Sequence, residues 1–148
     1  MSSSRNHLSK MVPTTWKNQK EKLKDQMAQK KAIIIVCKSC LMTQETSIEI
    51  KKLGEELEEL HQAYYTLWLK IQKEMDRDDS TPDGEYDKER EEEFQVDCGL
   101  MEPRVIVKTK LREWDDIKEK ERLDDLYRKE KERLDDLHQR EREKEDSI

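Results

Sequence analysis

From Ile50 onward, apolar residues recur at alternating intervals of three and four: Ile50, Leu53, Leu57, Leu60, Tyr64, Leu67 and Ile71. On an α-helix this spacing puts all of them on one stripe, and the flanking Lys51, Lys52, Glu55, Glu56, Glu58 and Glu59 leave the rest of that surface charged. The pattern predicts a heptad seam. Burying each such side chain contributes roughly 1.5–3 kcal/mol, whereas an isolated helix has little to offset its ordering entropy. The seam is therefore expected to bind a helical partner, from another chain or from this one. Tyr65, Trp68 and Leu69 widen the apolar surface near its C-terminal end, enough for a third helix to cover it.

A second apolar stripe is expected downstream at Val107, Leu111, Trp114, Ile117, Leu123, Leu126, Leu134 and Leu137. Its first part, Val105 to Ile117, could fold back antiparallel on the region around Leu60 to Ile71. The second part lies in an internal repeat, because Lys120 to Glu130 and Lys131 to Glu141 agree at eight of eleven positions. Eleven residues make three helical turns with only ~20° of drift, so the four repeat leucines fall nearly in line. Acid-before-base pairs at four-residue spacing, Asp124 with Arg128, Asp125 with Lys129 and Asp136 with Arg140, support this helix where it touches nothing.

Between these elements the punctuation is sparse. Residues 1–12 have no periodicity and read as a flexible tail. A helix is expected to start near Pro13-Thr14-Thr15-Trp16, capped by a threonine hydroxyl, and to run through residues 13–77 as one long helix or two nearly collinear ones. The β-branched run Ile33-Ile34-Ile35-Val36 is the weak place in that helix, since periodicity alone does not separate it from a short strand. Its flanks favour helix. Asp78 to Glu85, with a Pro-Asp-Gly core, predicts a turn. Cys98-Gly99 and Pro103 then predict an end to any short acidic helix in residues 85–96, so residues 78–104 read as an acidic connector and residues 105–146 as a charged helix.

Composition agrees with narrow stripes rather than a thick core: of 148 residues, 32% are apolar and 45% charged. The expected fold class is all-α, with elongated long helices forming a coiled coil or helical hairpin. The net charge of -6 hides a polarity, since residues 1–32 carry an excess of +6 and residues 76–97 an excess of -8. The longest apolar stretch, Ala32 to Cys37, is far short of the ~20 residues that span a bilayer. With no run resembling a signal sequence and three cysteines, the chain is expected to be intracellular, cytoplasmic or cytoskeletal before nuclear.

Candidate chemistry changes the picture little. Cys37-Lys38-Ser39-Cys40 is a CxxC, which could ligate zinc or form a redox pair, but a structural zinc site needs four ligands, Cys98, His7, His61 and His138 stand in no matching spacing, and no βαβ pattern suggests a thioredoxin fold. Packing beside the isoleucine run is the expected role of the two thiols. Asp79, Thr81, Asp83 and Gly84 match the first half of a calcium loop, which fails at its twelfth position, Arg90. The basic set Lys17, Lys20, Lys22, Lys24, Lys30 and Lys31 is a candidate polyanion contact, with one aromatic, Trp16, and no nucleic-acid motif beside it. Nucleophile motifs and phosphate-cradling glycine loops are absent. No catalytic residue, metal or cofactor is expected.

The sequence thus points to a non-enzymatic structural or interaction protein that pairs its helices with a protein partner, as a subunit or adaptor of a larger assembly such as a cytoskeletal or ciliary one. A nucleic-acid or polyanion binder, with the seam as its dimerisation element, is the alternative.

Overall fold

A computed structural model describes residues 12–78 and 81–146. Over these the chain is all-α: helix α1 spans Thr14–Val36, a 3-10 turn Cys37–Ser39, helix α2 Gln44–Arg77 and helix α3 Asp83–Asp146. The chain divides into two compact units, and the boundary falls inside α3 between Leu111 and Arg112.

Helix α1 begins where the sequence suggests, but without a threonine cap. Pro13 is its extended N-cap residue with no side-chain bond, and the Pro13 carbonyl accepts from Trp16 N at 3.1 Å. The single or collinear helix expected over residues 13–77 is instead two antiparallel helices. The chain leaves helical geometry at Cys40 (φ -75°, ψ 151°), and Thr43 (φ -129°, ψ 174°) starts α2. There Thr43 Oγ1 accepts from Thr46 N at 3.2 Å while Thr46 Oγ1 accepts from Thr43 N at 2.7 Å. This reciprocal capping box satisfies two of the orphan N–H groups at a helix start and pins the reversal.

The acidic connector expected over residues 78–104 is also mostly helix. The link shrinks to residues 78–82, where Thr81 N donates to Asp78 O at 3.0 Å and Thr81 Oγ1 to Met75 O at 3.1 Å. Pro103 does not end α3. A helical proline loses one hydrogen bond and its ring crowds the carbonyl four residues back, which here belongs to Gly99. Burial offsets that cost, because Pro103 is among the fully buried side chains.

In the first unit α2 runs antiparallel to both neighbours. Lys30 pairs with Glu56 while Lys70 lies over the Trp16 ring, which fixes the direction of α1 against α2. Trp68 Nε1 donates to Glu89 O at 3.3 Å and Arg104 pairs with Glu58, which fixes α3 against α2. Val12, Leu23, Met27 and Ile34, the seam residues Leu53, Leu57, Tyr64, Leu67 and Ile71 with Met75 one turn on, and Leu100 and Ile106 form the core.

The second unit, from Arg112 onward, is the rest of α3. Its ion pairs are local: Glu119 with Arg122, Asp125 with Arg128 and Lys129, Glu130 with Arg133, and Asp136 with Arg140. Lys118 Nζ stands 5.0 Å from the centre of the Trp114 ring. No helix among the described residues is long and apolar enough to cross a membrane.

Candidate interaction site

The heptad seam lies inside the first unit. Ile50, Leu53, Leu57, Tyr64, Leu67 and Ile71 are buried, and Leu60 is partly buried against the same cluster. The stripe already has helices of its own chain against it. The segment that faces it differs from the one the sequence suggests: Val107 meets Gly54, near the start of the seam, whereas Glu89 lies beside Trp68. Val105 points outward and is 61% exposed.

The second stripe is divided by its surroundings. Val107 and Leu111 belong to the first unit, Trp114 and Ile117 are half-exposed in the second, and Leu123, Leu126, Leu134 and Leu137 are 40–52% exposed.

Three of the six lysines in the candidate polyanion set face acids of their own unit. Lys20 reaches Glu89 and Glu92 at 3.2 Å, Lys24 reaches Glu92 at 2.8 Å, and Lys30 pairs with Glu56. Lys22 is exposed, and Lys17 and Lys31 are half-buried, since burial along α1 falls on Lys20, Leu23, Met27 and Ile34. Part of the opposite charge of residues 1–32 and 76–97 is thereby an internal complementarity, through Lys20 and Lys24 of α1 with Glu89 and Glu92 of α3.

At the centre of this pairing is a polar layer that periodicity did not reveal. The side chains of Lys20 and Glu89 are 4% and 5% exposed, and the fully buried Tyr64 hydroxyl has no hydrogen-bond partner. Burial pushes the Glu89 carboxyl up against the pull of Lys20. Burial acts the same way on Glu92, but Lys24 and Lys20 together outweigh it and hold that carboxyl below its ordinary value. Tyr64 is raised by burial and then by the surrounding carboxylates, so its phenol stays protonated at neutral pH. In sequence the signal was present: Lys20 and Glu89 sit at inward positions of their helices, but a charged residue does not register in a search for apolar stripes.

A second polar group lies between α2 and α3. Arg104 makes a two-pronged bond to Glu58, at 2.6 and 3.0 Å, and its Nη2 lies 3.1 Å from His61 Nδ1. Arginine only donates, so Nδ1 accepts and a neutral ring carries its proton on Nε2, 2.9 Å from Asp97 Oδ1. His61, Glu93 and Asp97 bring donor atoms within 4.8 Å of one another, a spacing suited to a metal ion. The tautomer set by Arg104 works against that use, because Nε2 would have to lose its proton to become a ligand. Burial and then the neighbouring Asp97 raise the Glu93 carboxyl, against the opposing pull of His61.

Of the calcium-like segment, Asp79 lies outside the described residues, as does His7, while Asp83 and Gly84 form the first turn of α3. His138 is exposed, 4.0 Å from Glu141. Cys37 and Cys40 lie at the two ends of the 3-10 turn that starts the reversal between α1 and α2, and Cys37 packs partly buried against the core.

What the fold leaves open is a groove of about 700 Å³ between α2 and α3, floored by Gly54, Leu57, Val107 and Leu111. Its rim carries both signs of charge, with Lys51, Arg104 and Lys108 beside Glu55, Glu58 and Glu59. Gly54 makes it narrow at the base: a β-carbon there would stand 2.9 Å from Val107 Cγ1. Further apolar side chains are exposed around the α1–α2 reversal, namely Ile33, Val36, Leu41 and Ile48, with Met101 and Val105 on α3 beside Lys38.

No family model, no curated protein and no solved structure matches the chain.

Proposed function

We propose that the chain is a non-enzymatic interaction protein, a helical subunit or adaptor that receives a helix of a protein partner in the groove between α2 and α3. The observation that carries this reading is the groove itself, where the half-exposed Val107 and Leu111 form an apolar floor framed by mixed charges. Apolar side chains from a partner helix fit such a floor, and the rim selects a partner by charge pattern. The seam supports the reading indirectly. Because Ile50 to Ile71 is covered within the chain, helix pairing with another protein has to use a different surface.

The repeat helix has the role of a charged spacer or second arm in this scheme, with its acid–base pairs supporting helix in the absence of a core. A cytoskeletal or ciliary assembly would use such a part.

The test is capture from cell extract with the wild-type chain and with Leu111→Glu, which places a charge on the groove floor while Leu57 and the buried seam stay intact. Proteins captured by the wild type and lost from the variant, at unchanged helicity, are expected. An identical captured set would remove the groove from consideration. Light scattering on the purified chain at two salt concentrations separates a heterologous partner from self-association.

A further inference from the structure

The α1–α2 reversal holds chemistry that helix pairing does not use. Cys37 is the C-cap of α1, its N–H donating to Ile33 O and Ile35 O, and the Cys40 N–H donates to Cys37 O at 3.1 Å. A hydrogen-bonded turn of this kind holds the first and fourth α-carbons within about 7 Å, and a disulfide requires about 4.4–6.8 Å. Both side chains are half-exposed, so a small reagent reaches them, whereas Cys98 lies exposed on α3 with no CxxC partner.

Neighbours on the other helices complete the surroundings. Lys110, a buried residue of α3, donates from Nζ to Cys40 O at 2.7 Å and ties the turn to the third helix. Burial and then the adjacent Cys40 sulfur, within hydrogen-bonding reach, raise the Cys37 thiol; Glu49 adds to this and Lys110 opposes it. The two sulfurs are thus adjacent across one hydrogen-bonded turn, as attack by one and resolution by the other require.

We infer that Cys37 and Cys40 form a reversible redox pair, closing to an internal disulfide across the α1–α2 reversal when the chain meets a low-molecular-weight disulfide. The exchange balances in two steps. One sulfur of the pair, after losing its proton, attacks one sulfur of glutathione disulfide, breaking its S–S bond and releasing one glutathione thiolate, which takes up a proton. The other sulfur of the pair, after losing its proton to solvent, then attacks its neighbour in the mixed disulfide and releases the second glutathione as a thiolate, which is protonated in turn. The protein pair loses two electrons and the glutathione disulfide gains them. The ring closed runs only from Cys37 through Lys38 and Ser39 to Cys40, so the bond staples the junction between α1 and α2.

The test equilibrates the full chain in buffers of increasing oxidised-to-reduced glutathione ratio, traps thiols by alkylation and maps the peptides by mass. The expected result is a Cys37–Cys40 bond lighter by two hydrogens, with Cys98 alkylated or carrying its own adduct. Cys37→Ser and Cys40→Ser are expected to stop at a stable glutathione adduct on the remaining sulfur of the pair. Wild-type chain that keeps both thiols free throughout, accumulates separate adducts on both sulfurs, or cross-links through Cys98 instead would overturn the inference. Circular dichroism of each variant checks that the helices persist, so that loss of the bond is not read from an unfolded chain.

Discussion

Gly54 on α2 and Val107 on α3 meet so closely that a β-carbon at Gly54 would stand 2.9 Å from Val107 Cγ1 and 3.4 Å from Cγ2. Replacing a mid-helix glycine by alanine favours the helix by about 1 kcal/mol, but overpacking a β-branched neighbour costs about 1–3 kcal/mol. Gly54→Ala is expected to be neutral to destabilising in the wild type. In a Val107→Ala background the clash is gone, so the same change should stabilise by about 0.5–1 kcal/mol. Denaturant unfolding of the four proteins in this cycle checks it, and equal effects in both backgrounds would mean that the two helices do not meet there.

The pair Lys20–Glu89 joins α1 to α3 through side chains that are 4% and 5% exposed. Removing one partner of a buried ion pair leaves the other uncompensated and costs on the order of 3–5 kcal/mol. Lys20→Met should therefore destabilise severely, with Glu89→Leu in the same chain recovering much of the loss. Thermal melts of the single and double variants measure this coupling. A single variant as stable as the wild type would show that water reaches the layer.

Acid should act on two sets of carboxylates with opposite signs. Glu58 is held low by its hydrogen bond from Arg104, and Glu92 is held low by Lys24 and Lys20 against burial. A lowered folded value gives stability that is present above the unfolded pKa and lost as pH falls through the folded one. Glu89 and Glu93 are raised, chiefly by burial, so their folded forms take up protons first and favour folding as pH falls from neutral towards the ordinary carboxylate range. Stability is expected to be flat or slightly rising over that interval and to drop below it. Glu58→Gln should flatten the drop, as denaturant midpoints across the pH series would show.

Hydrogen exchange should separate the two units. Amides of residues 50–75 lie beneath buried side chains, whereas residues 118–146 are nearly all exposed and hold together through local ion pairs. Exchange in the latter is expected to be fast and to quicken with added salt, which screens exposed charges, while residues 50–75 stay protected. Uniform protection along α3 would indicate that the repeat leucines are covered in solution.

The seam was legible because it is uninterrupted: seven apolar residues at heptad spacing, in a helix that contains them all. The inward stripe of α1 was not, because Lys20 and Lys30 occupy positions that an apolar pattern would have filled. The reversal at residues 37–43 left its mark in Thr43 and Thr46, a cap without the usual acidic partner. Pro103 misled for a physical reason, since a proline that breaks an isolated helix is tolerated where the ring is buried in a core.

By itself the sequence determined the helical class, the seam and the self-supporting repeat helix, because these follow from local periodicity and from charges three and four residues apart. Only the tertiary structure decided what covers the seam, which lysines face acids sixty or more residues away, and where a groove stays open. Those outcomes depend on how separate helices align, and alignment is settled by contacts such as Lys20 with Glu89 and Gly54 with Val107, which no short stretch of sequence contains.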